Sequence, residues 1–258
     1  MTCAAELGGV SHRHAGGTKK ALCGIDLCVE SGAVLALIGP SGAGKSTLLS
    51  LLGAQIFGWQ GKASVLGKPL DPQRPPARAQ RVETGFIFQD FALIGRATVR
   101  QNVLNGRLGR TAKLASLFGR FSEADEAAAD VALADAGIAD LARQRTDRIS
   151  GGQRQRVAIA RCLAQEPQLI LADEPVSNLD PVRAEAILRL ISSTAAARGA
   201  TVIFTSHQPE LALRFASRVV GLKGGRIALD TDPGALSPAD IATLYQGDPA
   251  AQNLLKAG

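Results

Sequence analysis

The 258-residue chain is poor in aromatic side chains, at 4% of residues, so Leu, Val, Ile and Ala must fill its interior. No apolar run approaches the roughly 18 residues that a membrane-spanning helix needs. The N-terminal stretch MTCAAELGGVSHRH lacks the charged-then-apolar pattern of a secretion signal. These absences predict a soluble, cytoplasmic protein whose membrane role, if it has one, falls to a separate partner. Cysteines are few: Cys3, Cys23, Cys28 and Cys162. No pair has metal-ligand spacing, and Cys23 and Cys28, five apart in a strand-like stretch, should point to opposite faces. All four are expected to be free thiols of a reducing compartment. What is abundant is apolar content, 46%, and positive charge, a formal net +6 with a pI near 9.5. The first allows a sizeable core, in one domain or a domain with a subdomain. The second suits an anionic partner: a nucleotide, a nucleic acid or an anionic membrane face.

Short apolar runs alternate with helical patterns, which predicts a mainly parallel sheet covered by helices. VLALIG (34–39), QLILAD (168–173), TVIFTS (201–206) and RVVGLK (218–223) read as buried strands. KGGRIALD (223–230) reads as a turn and an antiparallel edge strand, and the alternating IDLCVE (25–30) as a half-exposed strand. Residues 67–80 form a Pro-rich connection. From about 91 to 165 the pattern turns helical. There FSEADEAAADVALADAGI reads as a helix with Ser122 as N-cap and Gly137 near its end. This stretch is expected to be a helical subdomain inserted into a core formed by 1–90 and 166–258, within a single domain. Between Phe91 and Ser122 stand six basic residues (Arg96, Arg100, Arg107, Arg110, Lys113, Arg120) and no acid. The plainer expectation is a solvated face, the sharper one a contact with anionic lipid or a membrane subunit. No internal repeat is present.

GPSGAGKST, from Gly39 through Pro40, Ser41, Gly42, Ala43, Gly44, Lys45 and Ser46 to Thr47, follows a strand and opens a helix. It fits G-x-x-x-x-G-K-[ST]. Its glycines let the backbone wrap phosphates, and successive N–H groups with the helix dipole hold the negative charge. Lys45 is expected to reach β- and γ-phosphates, and the Ser46 hydroxyl to bind Mg2+. LILADE (169–174) ends a second strand in Asp173, placed to hold Mg2+, and Glu174. Two adjacent carboxylates at an apolar strand end are unfavourable without a metal or a chemical task. Glu174 is the candidate to polarise an attacking water. Gln89, after GFIF (85–88), ends another strand, where its amide could touch the Mg2+ shell and the water. His207 follows TVIFTS. Ligands of open α/β sheets sit at the carboxyl ends of strands, so these residues are expected to converge on one crevice.

RISGGQ (148–153) raises a question, because one phosphate cradle is already complete. Ser150 and Gln153 have the S-x-x-Q spacing of a capping box. A local cap does not require Gly151 and Gly152, whose backbone N–H groups are left uncovered. The economical expectation is that this helix start meets the γ-phosphate of a nucleotide held by a second copy of the chain.

Taken in order, GPSGAGKST, Gln89, ISGGQ, LILADE, SNLD (177–180) and His207 resemble the ATP-binding cassette ATPases, over nearly the whole chain. The ordered set is far more specific than any single motif. The resemblance implies an α/β fold with a P-loop NTPase (RecA-like) core, an antiparallel β edge and an inserted α-helical subdomain. It implies hydrolysis of ATP with Mg2+, with Glu174, His207 and Gln89 in catalytic roles and Ser46, Gln89 and Asp173 at the metal. It implies nucleotide contacts from Gly39–Thr47, Ser150, Gly151, Gly152, Gln153 and Asp180. Two ATP molecules would be sandwiched in a head-to-tail dimer, each between one copy's Gly39–Thr47 and the other's Ser150–Gln153. The helical subdomain would dock, with the segment after Gln89 at the contact, onto cytoplasmic loops of transmembrane permease subunits. The chain would then lie peripherally on the cytoplasmic face of the membrane, serve a substrate-binding protein indirectly, and bind no nucleic acid.

NVLNGRLGR (102–110), SLFGRF (116–121), QRTDRISGGQRQRVAIAR (144–161), ILADEPVSNLDP (170–181), SHQ (206–208) and the tail LSPADIATLYQG (236–247) are similar to phosphonate-importer ATPases. Phosphite and hypophosphite importers share these features. The alternatives are an ATPase for another cargo, such as amino acids or lipoproteins, and a non-transport cassette ATPase acting on nucleic acid. The last lacks support from a coiled-coil insertion or a second cassette. The chain departs from the family pattern at Ile149, where Leu is usual, at Arg154, where Gln is common, and at Asp90 after Gln89. The adenine-stacking aromatic of the family, usually Tyr, is replaced by His14, with His12 as the alternative. Imidazole stacks with less area than phenol.

Overall fold

Val34–Ile38 (β3) is apolar at every position and buried over all but its first residue, as a strand covered on both faces must be. The computed structural model describes residues 2–111, 120–177 and 179–246. They fall into two units, one comprising Met1–Pro76 and Thr201–Gly258, the other Ala77–Ala200.

In the first unit β3 lies between Thr201–Thr205 (β8) and Arg218–Lys223 (β9), parallel to both. Arg226–Thr231 (β10) closes antiparallel on β9 as an edge strand. A second, antiparallel sheet places Cys3–His12 (β1) between Leu22–Glu30 (β2) and Gln60–Val65 (β4), with Lys68–Pro69 (β5) outside β4. β2 alternates as its sequence predicts: Ile25, Leu27 and Val29 are buried while Asp26 and Glu30 are exposed.

In the second unit Thr84–Ile87 (β6) runs parallel to Leu169–Ala172 (β7). Gly85 is obligatory in β6, because a Cβ there would lie 2.6 Å from Cys162 Sγ. The helix Glu123–Asp135 begins with a reciprocal Ser122–Asp125 capping box and three acids in its first turn. Just past its end, Gly137 is left-handed at φ 64°. The helix Gly151–Ala164 packs against Glu123–Asp135 and against Val99–Leu104.

Two expectations are corrected here. Cys3 and Cys28 are not free thiols: they form a disulfide across β1 and β2 with Cα atoms 5.9 Å apart. The register shift between Cys3 and Ala5 in that pairing is a tertiary feature that cysteine spacing does not contain. Cys23 and Cys162 are free, and burial pushes the Cys162 thiol up to about 12. The basic stretch is a solvated face only in part: Arg96, Arg110 and Arg120 are exposed, whereas Arg107 is buried. Arg100 pairs with Glu126 and Asp130, and Arg110 donates to the carbonyls of Gln165 and Glu166. Arg107 is buried, donating to Asp125 at 2.9 Å, Glu166 at 2.7 Å and the Ala164 carbonyl at 2.8 Å. The acids that match them lie outside the window in which none was counted. Lys113 lies outside the described residues.

Burial raises the Asp125 carboxyl, but hydrogen bonds from Arg107 and Ser122 outweigh it and hold the pKa below the ordinary carboxylate value. Its stabilising contribution is therefore present above the unfolded pKa of about 4 and is lost as pH falls through the lower folded value. Arg107→Met leaves Asp125 buried without its cation, with only the Ser122 and Thr111 hydrogen bonds remaining, and is expected to cost about 3 kcal/mol at pH 7. A urea titration at pH 7 checks this; an unshifted midpoint would remove the pair from the determinants of stability.

Candidate functional site

β3 delivers the chain into Gly39–Thr47. Gly39, Gly42 and Gly44 are left-handed, at φ 138°, 73° and 107°. Two of them also lack space for a side chain: a Cβ would lie 2.1 Å from the Leu222 carbonyl oxygen at Gly39 and 2.5 Å from that of Ala21 at Gly44. The Gly39 N–H donates to the Tyr245 hydroxyl at 3.1 Å, and the Ala43 carbonyl accepts from the Gly225 N–H at 3.0 Å. Lys45 is buried and its ammonium donates to the carbonyls of Gly39 and Pro40 at 2.7 and 3.1 Å, lacing the loop to itself. Ser41, Gly42 and Ser46 are exposed. The loop thus opens the helix Lys45–Leu52, where backbone N–H groups can meet an anion, with the Lys45 ammonium bonded to its own carbonyls.

Beside this loop His14 is exposed, with Nε2 3.1 Å from Thr47 Oγ1. His12 is buried in β1, and its ring meets that of His14 edge-on at 4.9 Å. Burial, and then the neighbouring His14, lower the His12 pKa, so it is neutral at pH 7. Of the two histidines, His14 is the one open to a ligand. His207 follows β8 in a short turn where Ser206 Oγ and the Gln208 backbone bond each other at 3.0 Å.

In the second unit the Asp173 N–H donates to the Ile87 carbonyl at 2.9 Å, fixing the chain where the two carboxylates leave β7. Glu174 is left-handed at φ 46°, a costly state for a residue with a side chain. Gln89 Nε2 donates to Glu174 Oε2 at 3.1 Å, so these two site residues are in contact. The Ser150–Gln153 capping box is formed in both directions, at 2.9 and 3.3 Å. A Cβ at Gly152 would meet nothing within 4 Å, and one at Gly151 would meet only Arg154 Nη2, at 3.9 Å. Neither glycine is left-handed. Among the described residues, nothing therefore requires glycine at those two positions. Asp180 caps the helix Pro181–Ala197, accepting from the Arg183 N–H at 3.0 Å while its other oxygen pairs with the Arg183 side chain.

Sequence reasoning missed Tyr245. It is the only tyrosine of the chain, and its hydroxyl reaches back 206 residues to the first amide of the loop. A lone aromatic in the tail LSPADIATLYQG was the available signal, but nothing local indicates that partner.

Residues 22–177 match the protein family described as ABC transporter. The chain belongs to the ABC transporter family. It is 43% identical over 227 residues to the "Phosphonates import ATP-binding protein PhnC" of Thiobacillus denitrificans, covering 88% of this chain and 87% of that protein. It is 41% identical to the protein of the same name from Bordetella parapertussis, covering 89% and 92%. Among solved structures, cbiO1 from Clostridium perfringens, part of the ABC transporter complex cbiONQ, superposes with a TM-score of 0.80 at 28% identity, covering 99% of this chain and all of that one. The dimeric, post-hydrolysis cassette MJ0796 bound to ADP and Pi superposes at 0.76 with 29% identity, covering 89% and 98%. The fold is the mixed α/β fold of these ABC cassettes, and ATP hydrolysis coupled to transport is the activity that membership in the family carries.

Tyr245→Phe keeps the packing and strands the buried Gly39 N–H, a loss of about 1–3 kcal/mol. Expressed in the loop, it is expected to weaken MgATP binding by about tenfold. A nucleotide titration of the full chain reads this, and an unchanged Kd would show that the hydroxyl does not support the loop.

Proposed function

We propose that this chain is the ATP-binding and hydrolysing subunit of an importer for phosphonates or related reduced-phosphorus anions. The observation that carries the nucleotide half is the left-handed glycine cradle at Gly39, Gly42 and Gly44, with Lys45 laced across it. The cargo half is supported by the relatives named phosphonates import ATP-binding proteins.

The donor set fits a magnesium–nucleotide complex: a glycine loop with no room for side chains at Gly39 and Gly44, the hydroxyl-bearing Ser46, and two carboxylates at one strand end. Gly39–Thr47 binds the phosphates, with Lys45 on the β- and γ-groups. Ser46, Gln89 and Asp173 would hold Mg2+, which would supply positive charge to offset that of the phosphates. His14 lies against the adenine. Glu174 accepts a proton from the attacking water, whose oxygen bonds to the γ-phosphorus as the bridge to ADP breaks and its electron pair leaves with ADP. Gln89 orients Glu174 through their hydrogen bond, and His207 contacts the γ-phosphate.

Ser150, Gly151, Gly152 and Gln153, with Asp180, serve the nucleotide of a second copy in a head-to-tail dimer. The support is that no contact or backbone angle among the described residues calls for Gly151 and Gly152. None of the described helices is long and apolar enough to cross a membrane. The partners are permease subunits at the cytoplasmic face of the membrane, served by a substrate-binding protein, a reading supported by the relatives named import ATP-binding proteins.

Glu174→Gln is expected to bind MgATP and dimerise while hydrolysing it at least about a hundredfold more slowly. Near-normal turnover would remove Glu174 from the role of base. In that background Ser150→Arg should keep ATP binding as a monomer but lose ATP-driven dimerisation. Mixing it with Lys45→Ala should restore some dimer on a sizing column, through the one intact composite site. Loss of ATP affinity in monomeric Ser150→Arg would instead assign the helix start to the chain's own nucleotide. Co-purification from the native membrane identifies the permease, and phosphonate uptake by that complex tests the cargo.

A further inference from the structure

The segment after Gln89 holds strain that the reaction above does not use. Phe91 and Ala92 are consecutive left-handed residues with side chains, at φ 64° and 45°. L-residues enter this region singly in turns and rarely in succession. One guanidinium claims both of their carbonyls: Arg161 Nη2 donates to Phe91 at 2.9 Å and Nη1 donates to Ala92. Arg161 stands in the last turn of the helix Gly151–Ala164, whose N-cap is Ser150. Its own backbone is closely fitted, since a Cβ at Gly106 would lie 2.1 Å from the Arg161 carbonyl oxygen. Burial lowers its pKa, opposed by Cys162 and Asp90. A guanidinium stays protonated in proteins, so both bonds are charge-assisted. Two residues before the turn, Gln89 makes its bond to Glu174. A single helix therefore begins at the Ser150–Gln153 turn and, near its end, holds the strained segment that carries Gln89.

We propose that Arg161 is a positioning residue for hydrolysis, its guanidinium holding the left-handed Phe91–Ala92 turn and thereby keeping the Gln89 amide on Glu174. The inference rests on the ATPase reading given above. Without the clamp the turn relaxes toward negative φ, the chain leaves Gln89 in a different direction, and the Gln89–Glu174 bond is lost. No part of the clamp belongs to the Gly39–Thr47 loop, so affinity for ATP in the absence of Mg2+ is retained.

The test is steady-state MgATP hydrolysis by the full chain, with nucleotide Kd and Tm measured alongside. Arg161→Ala is expected to lower kcat by about tenfold or more while the Kd for ATP without Mg2+ stays within about twofold. Arg161→Lys, with one nitrogen for two carbonyls, should fall between. Phe91→Gly with Ala92→Gly should leave kcat near wild type, and in the Arg161→Ala background should raise it by about fivefold, because glycine enters the left-handed region without penalty. A purely structural role would lower Tm, and added glycines would not repair it. In a Gln89→Ala background, Arg161→Ala should cost little further kcat. Retained kcat in Arg161→Ala, a loss that the glycines do not relieve, or full additivity with Gln89→Ala would each overturn the inference. If Arg161→Ala does not fold, Arg161→Lys with and without the glycines gives the same comparison. A wild-type chain that hydrolyses no MgATP would remove the ATPase reading and this inference together. An active wild type beside an indifferent Arg161→Ala removes the inference alone.

Discussion

The carbonyl oxygen of Leu222 stands 2.1 Å from where a Cβ at Gly39 would be, and the carbonyl of Ala21 crowds Gly44 in the same way. An anion site built from backbone must keep side chains out and amides uncovered. The rest of the fold must hold that backbone in a conformation few residues tolerate. Here the hold comes from Tyr245, from Gly225 and from the ammonium of Lys45. The parallel strands β3, β8 and β9 matter to function chiefly because they fix Leu222 and the start of the loop against each other.

The second unit solves a related problem by different means. Its helix start at Ser150 is closed as a cap yet keeps two glycines that none of the described residues requires. Elsewhere in the unit, strain concentrates at residues with side chains. Phe91, Ala92, Glu166 and Glu174 are all left-handed, and each is held by hydrogen bonds from groups distant in sequence or from its own turn. Strain of this kind persists only where surrounding structure over-determines it. In this unit the determinants are guanidinium groups and a short parallel strand pair, not a run of glycine.

Several features were legible because they are local. Ser122 and Ser150 cap their helices through residues three positions on. The strand at 34–38 is apolar throughout, and β10 follows a Gly-Gly turn. The sequence misled where partners lie far away. β1 was not read as a strand, so the Cys3–Cys28 pairing could not be foreseen. Nothing near Arg107 marked it as buried, because its partners Asp125 and Glu166 lie beyond Ser122. His14 stood first and His12 was its alternative; burial of His12 leaves His14 as the exposed one of the pair.

By itself the sequence determined the chemistry on offer. It placed a glycine loop ending in Lys45 and Ser46, paired carboxylates after an apolar strand, and a glycine-bearing helix start, in an order that resembles one ATPase family. These are properties of residue type and spacing within a few positions, where covalent geometry and hydrogen-bond reach are fixed. The tertiary structure alone decided what supports that chemistry. It bonds the Tyr245 hydroxyl to Gly39, sets Gln89 against Glu174, and places Arg161 under two left-handed carbonyls. Those contacts span 206, 85 and about 70 residues. Over such separations only packing of the completed fold, and no local propensity, brings donor and acceptor within 3 Å or so of each other.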